Sequence, residues 1–374
     1  MIAAAEPVRT PVAQAPRAAR TLRLAVFSYG LPCQGQKRGG VEQVTHDLAN
    51  ALVDRGHRVT IFTYDPAPAT ARYEVAALPF KAFVHSWLGR RMTMGYLGNL
   101  IAIWPDYSAY DAIIAHGDSL LLPLKGTPVV RVMHGSASEE ARSATSLGRR
   151  VLQWGVYLQE LATAATCRGT VGVSENTRAS NRYVRQIIPN GVDLSLFAPD
   201  QAAQSPTPSI LFVGALGGRK RGAWLIDRFV SEIRPACERA ELHMVTTPGA
   251  SAPGVHYHTG ISAPDLVQLY QRAWVYASPS TYEGFGLPYL EAMACGAPVV
   301  ATPNPGSREV LADGRFGRLV DDSVFASTVI ELLGSPDQRR RLSGLGVERA
   351  RAFDIRTSAA RYETLILDLM GHHD

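Results

Sequence analysis

The stretch STYEGFGLPYLEAMACG, residues 280–296, places two glutamates on either side of a glycine-rich turn and a proline. Carboxylates accept hydrogen bonds from sugar hydroxyls, while the backbone N–H groups at the start of a helix attract phosphate. Glu291 could therefore bind both hydroxyls of a ribose, and Glu283 could bind the hydroxyls of a second sugar. A simpler interpretation is that Glu291 only complements the helix dipole and that Glu283 is a solvated loop acid.

The proline in this stretch predicts where a helix begins. Pro288 suits the first helical position, because its missing N–H would be unpaired there in any case. The backbone amides of Phe285, Gly286 and Leu287 would then lie near the helix N-terminus, whose partial positive charge favours a phosphate. We expect Glu291 in the first turn of this helix, so that both acids border the same anion site.

A basic glycine-rich turn, GGRKRG at residues 217–222, follows the apolar run Ile210–Val213. Glycines with clustered cations at a strand-to-helix turn suit a diphosphate. Arg219 and Lys220 are therefore candidate phosphate ligands, and a solvated basic turn is the alternative interpretation.

Two other motifs follow predicted strands. Gly39 and Gly40 open a predicted helix, where bare backbone can approach a phosphate closely, although two glycines are also typical of an ordinary turn. His134 and His116 each stand at the end of a strand. A histidine in that place either faces the ligand cleft or is structural, and His116 could simply cap its strand.

These motifs lie in a chain of alternating strands and helices. The alternation predicts two doubly wound α/β domains with parallel sheets, and the polar segment Asp200–Ser209 marks a linker between them. Ligands of such sheets bind beyond the carboxyl ends of the strands, so we expect those ends to face each other across a cleft. The predicted strands are Leu22–Phe27, Arg58–Thr63, Ala112–Ala115, Pro128–Met133, Thr170–Ser174, Arg185–Ile188, Ile210–Val213, Leu242–Thr246, Val255–Thr259, Val275–Ser278 and Pro298–Ala301.

The segment EGFGLPYLEAMACGAPVVA, residues 283–301, resembles the signature EGFGLPxLEAMAxGxPVVA of retaining glycosyltransferase family 4. Other stretches resemble the family in the same order along the chain. They are RGGVE at 38–42, RGHRV at 55–59, IPNGVD at 188–193 and ISAPDLVQLY at 261–270. The resemblance therefore spans most of residues 22–312.

The resemblance implies the GT-B fold, in which two Rossmann-like domains face each other across a cleft. It predicts an acceptor-binding domain at residues 21–198, a nucleotide-sugar-binding domain at 199–352 and a C-terminal helix, 353–374, that returns to the first domain. Packing of that helix on its own domain is the alternative. Residues 1–20 are rich in Ala, Pro and Arg and lack an apolar core, which predicts a disordered leader rather than a signal peptide.

The implied reaction is the retaining transfer of a hexose-type sugar from a UDP- or GDP-sugar to a hydroxyl acceptor. The acceptor would belong to the biosynthesis of a polysaccharide, a glycolipid or a glycosylated metabolite. In the family's usual interpretation no carboxylate nucleophile is in place, so we assign Glu283 to sugar binding. No acid pair of the DxD type follows a strand of the first domain, and we expect neither a metal nor another cofactor.

The resemblance also assigns roles to the candidate residues. His134 matches the active-site histidine that contacts the transferred sugar, so His134 and Glu283 are the expected catalytic residues, and His116 is expected on the acceptor side. The expected donor-binding residues are Gly39, Gly40, Arg219, Lys220, Phe285, Gly286, Leu287 and Glu291.

One position departs from the family pattern. The family carries an arginine directly after the glycine that ends the strand, and this chain has Ala215 there. Lys220 matches the family's lysine, and Arg219 or Arg221 could supply the missing charge. The departure leaves open a non-catalytic nucleotide-sugar-binding partner of another transferase. A GT-B epimerase or phosphorylase is a further alternative, but the EGFG…LE signature argues against the epimerase and no cofactor-lysine motif indicates the phosphorylase.

The composition of the chain limits the class of protein and the partners that it can have. The chain has 374 residues, 46% hydrophobic and 19% charged, and four distant cysteines without a CxxC, which predicts a cytoplasmic protein with reduced thiols. Residues 1–195 hold 21 Lys+Arg and 14 Asp+Glu, and the remainder 17 and 19. The basic half could face anionic lipid at the inner face of the membrane or a phosphorylated acceptor, or could only solubilise the chain. We expect a monomer or homodimer that binds no nucleic acid.

Overall fold

The computed structural model describes residues 20–33, 40–86, 97–117, 119–143, 147–167 and 169–371. The predicted leader, apart from Arg20, and Gly39 of the glycine pair lie outside these residues. The described chain forms two sheets in which every strand pairs in parallel, which confirms the prediction of two doubly wound α/β domains.

The first sheet has seven strands in the order β3-β2-β1-β4-β5-β6-β7. Its central strands are continuous apolar runs because both faces are covered, and all four residues of β4 are buried. The strand order reverses between β1 and β4, so a crevice opens at their carboxyl ends. The strands are β1 Arg23–Phe27, β2 Arg58–Thr63, β3 Glu74–Ala77, β4 Ala112–Ala115, β5 Val129–Met133, β6 Gly169–Gly172 and β7 Gln186–Ile187.

Helices cover this sheet. The first of them buries Val44, Leu48 and Leu52 at helical spacing against the sheet. The helices are α1 Gly40–Asp54, α2 Lys81–His85, α3 Gly98–Ala102, α4 Ala137–Ser143, α5 Leu147–Thr166 and α6 Glu175–Ser180.

The second sheet has six strands in the order β10-β9-β8-β11-β12-β13, with the same reversal between β8 and β11. The strands are β8 Ser209–Val213, β9 Glu241–Val245, β10 Val255–His258, β11 Val275–Ser278, β12 Val299–Ala301 and β13 Arg318–Leu319. The helices that follow along the chain are α7 Gly222–Arg228, α8 Arg234–Ala236, α9 Ala263–Arg272, α10 Leu287–Ala294, α11 Pro305–Val310, α12 Asp322–Gly334, α13 Pro336–Arg351 and α14 Ile355–Gly371.

The chain crosses back from the second domain to the first before α14. Val192 N donates to Phe353 O at 2.8 Å, and Ile355 N donates to Val192 O at 3.1 Å. Helix α14 then packs on α1, where Arg55 Nε donates to the buried carboxylate of Glu363 at 2.6 Å. The last helix therefore ties the two domains together through backbone and side-chain contacts.

Each predicted strand lies within two residues of an observed strand at both ends. Sequence reasoning missed β3 and β13, because both are short edge strands in which no residue is fully buried. None of the helices in the described residues combines the length and the apolar character that crossing a membrane requires.

Candidate active site

Loops at the carboxyl ends of the two sheets meet at His134 and Gly284. His134 directly follows β5, and Gly284 lies in the loop between β11 and α10. A Cβ atom at Gly284 would lie 2.5 Å from the carbonyl oxygen of His134, a distance that no side chain tolerates. Glycine therefore permits the backbones of the two domains to touch at the predicted site.

The carboxylate of Glu283 is buried between two cations of the basic turn. Glu283 is only 6% exposed. Lys220 Nζ lies 2.6 Å from Oε1, and Arg219 Nη1 donates to Oε2 at 2.8 Å. Burial acts to raise the pKa of the Glu283 carboxyl, but Lys220 and Arg219 outweigh it, so the pKa lies below its ordinary value. Glu283 is therefore a carboxylate at neutral pH, held by two cations.

The same turn separates Arg219 from Arg221. Residues Gly218–Lys220 form a 3₁₀ turn, and Arg221 then adopts a left-handed conformation with φ 56°. Its guanidinium donates to both carboxylate oxygens of Asp322, at 2.9 and 2.6 Å, and lies 4.4 Å from the ring centre of Trp224. Of the two arginines that could replace the charge missing at Ala215, only Arg219 therefore stands at Glu283.

The second acid stands on α10 and lies deeper than expected. The helix begins at Leu287, after Gly286 with φ 93°, so Glu291 lies in its second turn and the prediction of the first turn was wrong. Glu291 is 6% exposed, and the Tyr270 hydroxyl of α9 donates to its Oε2 at 2.7 Å. Burial and then Glu291 raise the pKa of Tyr270 well above its ordinary value, so this hydroxyl remains a donor.

Two histidines line the first-domain side as a hydrogen-bonded pair. Nδ1 of His116, after β4, lies 2.8 Å from Nε2 of His134, and the rings stack with centres 5.0 Å apart. Burial, and then the charge of Arg131, lower the pKa of His134 to about 4. Burial, and then His134, hold the pKa of His116 well below its ordinary value. Both rings are therefore neutral at pH 7.

Sequence reasoning missed a polar network that fixes the loop carrying Glu283. Asn304 Nδ2 donates to Ser280 O at 2.9 Å, and Thr302 Oγ1 donates to the same carbonyl at 2.7 Å. The Asn304 side chain also caps α11 by accepting from Ser307 N. The pair Asn304-Pro305 is a helix-start signal, but its long-range contact to Ser280 has no sequence signature.

For the remaining predicted donor-binding residues, the predicted role concerns the backbone and not the side chain. The side chains of Phe285 and Leu287 are buried, and the Phe285 ring lies 5.9 Å from that of Phe353. Gly40 begins α1, and among the described residues nothing beyond its chain neighbours and its own helix lies within 4 Å of the point where a Cβ would stand. In the described part of the chain, no three His, Cys, Asp or Glu side chains group as metal ligands.

Comparisons with known proteins agree with the predicted family. The chain matches the family models Glycosyltransferase Family 4 over residues 38–196 and Glycosyl transferases group 1 over residues 207–335. The D-inositol 3-phosphate glycosyltransferase of Frankia alni is 33% identical over 373 residues, which cover 84% of this chain and 91% of that protein. The phosphatidyl-myo-inositol mannosyltransferase of Propionibacterium freudenreichii is 26% identical over 90% of this chain and 91% of that protein.

A solved structure supports the fold. Sucrose-phosphate synthase from Thermosynechococcus elongatus superposes with a TM-score of 0.78 and 22% identity, over 94% of this chain and 100% of the other. The chain belongs to glycosyltransferase family 4, and it is a glycosyltransferase with the GT-B fold. The predicted family, enzyme class and fold are thereby confirmed.

The contact between His134 and Gly284 leads to a first prediction. Gly284→Ala forces the two backbones apart and should lower kcat/KM more than tenfold, because small displacements of reacting groups are costly. Gly135→Ala is the matched control. Its Cβ would meet only the Tyr282 hydroxyl at 3.5 Å, so activity should stay within about threefold of the parent. Full activity of Gly284→Ala with unchanged thermal stability would show that the contact does not matter for turnover.

Proposed function

We propose that this chain moves a hexose-type sugar from a UDP- or GDP-sugar to a hydroxyl of a phosphorylated inositol, with retention of configuration and without a metal ion. The observation that carries the proposal is the carboxylate of Glu283, clamped between Lys220 and Arg219 at the start of α10. The next residue, Gly284, meets the backbone of His134 of the first domain, at the place where family 4 members are expected to bind the donor.

The two acids divide the donor between them. The amides that precede α10 and the cations Lys220 and Arg219 would hold the diphosphate, because a helix start and paired cations both favour an anion. Arg219 is half exposed, so the guanidinium N–H groups that do not bind Glu283 can reach a phosphate. Glu291, oriented by the Tyr270 hydroxyl, would bind the ribose hydroxyls, and Glu283 the hydroxyls of the transferred sugar.

Retention without a covalent intermediate agrees with the surroundings of Glu283. A nucleophilic carboxylate needs an oxygen that can attack the anomeric carbon, whereas each oxygen of Glu283 already accepts from a cation. The departing diphosphate gains negative charge, which Lys220 and Arg219 would stabilise. These cations would perform the role that a divalent metal performs in other transferases.

The acceptor is inferred from the relatives and the charge distribution. The proteins of Frankia alni and Propionibacterium freudenreichii are named for D-inositol 3-phosphate and for phosphatidyl-myo-inositol. The shared chemistry is a polyol ring that carries a phosphate. The first half of this chain, with 21 Lys+Arg against 14 Asp+Glu, favours an anionic acceptor.

A transfer assay tests the proposal. The enzyme, treated with EDTA, is incubated with UDP- and GDP-sugars and with inositol 3-phosphate, and the anomer of the product is read by NMR. We expect transfer of the sugar from one nucleotide only, with retention of the anomeric configuration.

The variant Glu291→Gln should weaken binding of the matching nucleoside diphosphate about tenfold, while the exposed Glu331→Gln leaves that binding unchanged. An inverted product would contradict retention, and a requirement for a divalent metal would contradict metal independence. Equal affinity of the Glu291 variant would contradict the binding of the ribose by Glu291.

The cation pair gives a second prediction. Arg219→Ala should weaken binding of the nucleoside diphosphate about tenfold to hundredfold, because a charge-assisted hydrogen bond to phosphate is lost. Arg221→Ala, two residues away, should stay within about threefold, since its guanidinium is already paired with Asp322. Calorimetric titration measures both. The assignment of Arg219 fails if the two variants weaken binding equally.

A membrane-bound acceptor is a second candidate, favoured by one surface of the first domain. Helix α5 exposes an apolar stripe at helical spacing, which we define as Leu147, Val151, Trp154 and Leu158, exposed by 75, 64, 41 and 66%. Exposed Arg150 stands beside it. Apolar side chains next to cations fit an anionic bilayer surface, so we propose peripheral contact with such a membrane.

A vesicle flotation assay distinguishes a membrane-bound inositol lipid from a free inositol phosphate as the acceptor. The parent should float with vesicles that contain phosphatidylinositol and not with pure phosphatidylcholine. Val151→Asp should lower the bound fraction about tenfold, because a charge replaces an apolar contact. Val324→Asp, on an exposed position of α12 in the second domain, is the matched control and should float like the parent. Equal loss in both variants, or no flotation of the parent, would contradict the membrane contact.

A further inference from the structure

Among the residues that the structure describes, one ring nitrogen of the histidine pair has no hydrogen-bond partner. His116 is 5% exposed, and its Nδ1 faces Nε2 of His134. Its other nitrogen, Nε2, is buried and has no hydrogen-bond partner among the described residues. His134 differs, because the residue is partly exposed and its Nδ1 is not a buried atom that lacks a hydrogen-bond partner. The pair therefore has a sealed end at His116 and an open end at His134.

Two arrangements of protons satisfy the 2.8 Å hydrogen bond between neutral rings. In the first, His116 Nδ1–H donates to His134 Nε2, which leaves a bare lone pair on the buried Nε2 of His116 and a proton on Nδ1 of His134. In the second, His134 Nε2–H donates to His116 Nδ1. The buried nitrogen of His116 then carries an unpaired N–H, and His134 presents a lone pair at its open end.

The surroundings favour the first arrangement. Buried backbone N–H groups without an acceptor are rarer than carbonyl oxygens without a donor, and the same cost applies to a ring N–H. The first arrangement leaves no buried N–H without an acceptor, because His116 then donates into the pair and His134 donates at its open end.

We propose that His116 is a positioning residue that holds His134 in the Nδ1–H tautomer, so that an N–H donor stands at the open end of the pair. The donor would bind an oxygen of the transferred sugar. This last step rests on the proposed function, whereas the tautomer itself does not. Since both rings are neutral at pH 7, the site offers this hydrogen bond without adding a charge near the sugar as it gains oxocarbenium character.

NMR on the parent enzyme tests the tautomer without any substrate. The enzyme is labelled with ¹⁵N in its histidine rings, and two-bond ¹H–¹⁵N correlations are recorded at pH 7.5. The signals of His134 are identified among the ten histidines by their loss in His134→Gln. We expect a protonated Nδ1 and an unprotonated Nε2 for His134. A protonated Nε2 with an unprotonated Nδ1 would overturn the proposal.

A near-isosteric pair of variants tests the role of His116. In His116→Asp the side chain can only accept, so at pH 8.5 His134 should take the opposite tautomer and kcat/KM should fall about tenfold. In His116→Asn the amide can donate to Nε2, so the tautomer should be kept and kcat/KM should stay within about threefold. Asp and Asn have nearly the same volume, so loss of packing cannot separate them.

The outcomes distinguish this inference from the proposed function. The expected tautomers in an enzyme that transfers no sugar would contradict the proposed function and leave the positioning role of His116 intact. Active Asp and Asn variants with equal kcat/KM and the same His134 tautomer would overturn the positioning role. Thermal unfolding of both variants confirms that each is folded before the spectra are compared.

Discussion

The site depends on one contact between backbones of different domains. The carbonyl of His134, at the end of β5, lies where a side chain on Gly284 would have to be. Because nothing larger than glycine fits, the loop that carries Glu283 lies directly against the backbone of His134. The chain crosses from the second domain back to the first where Val192 bonds to Phe353, and α14 then packs on α1. These contacts also hold the two domains together. Without this approach each domain would carry half of a site.

The two halves differ in charge. On the second domain one buried carboxylate is paired with two cations, Lys220 and Arg219, which leaves a net positive charge that a diphosphate can join as a further anion. On the first domain the neighbouring rings of His116 and His134 are neutral, because burial disfavours their protonated forms. A leaving group that becomes negative would therefore lie on the charged side, while the sugar, which becomes positive, would meet neutral donors and the Glu283 carboxylate. This division of charge is what a displacement at an anomeric carbon needs.

The loop after β8 decides which arginine meets the buried acid. The family pattern places an arginine directly after the glycine that ends the strand, and this chain has Ala215 there. The 3₁₀ turn at Gly218–Lys220 brings Arg219 to Glu283, while the left-handed Arg221 turns to Asp322. The path of the loop, and not the residue type, therefore separates the two arginines.

The alternation of strands and helices and the existence of both sheets follow from the order of residues alone, because buried parallel strands must be apolar runs and strand-to-helix turns need glycine and proline. Glu283, Lys220 and His134 were predicted as site residues from their types after strands together with the family resemblance, and their roles stay predictions. Which groups meet depends on the folded chain. Two contacts join residues that are distant in the chain: His116 pairs with His134, and Tyr270 donates to Glu291. The choice of Arg219 over Arg221 depends on the φ angle of Arg221. The short edge strands β3 and β13 were missed for the same reason, since neighbouring strands and not local pattern stabilise them. Local pattern reports what a residue can do, whereas long-range packing selects its partner.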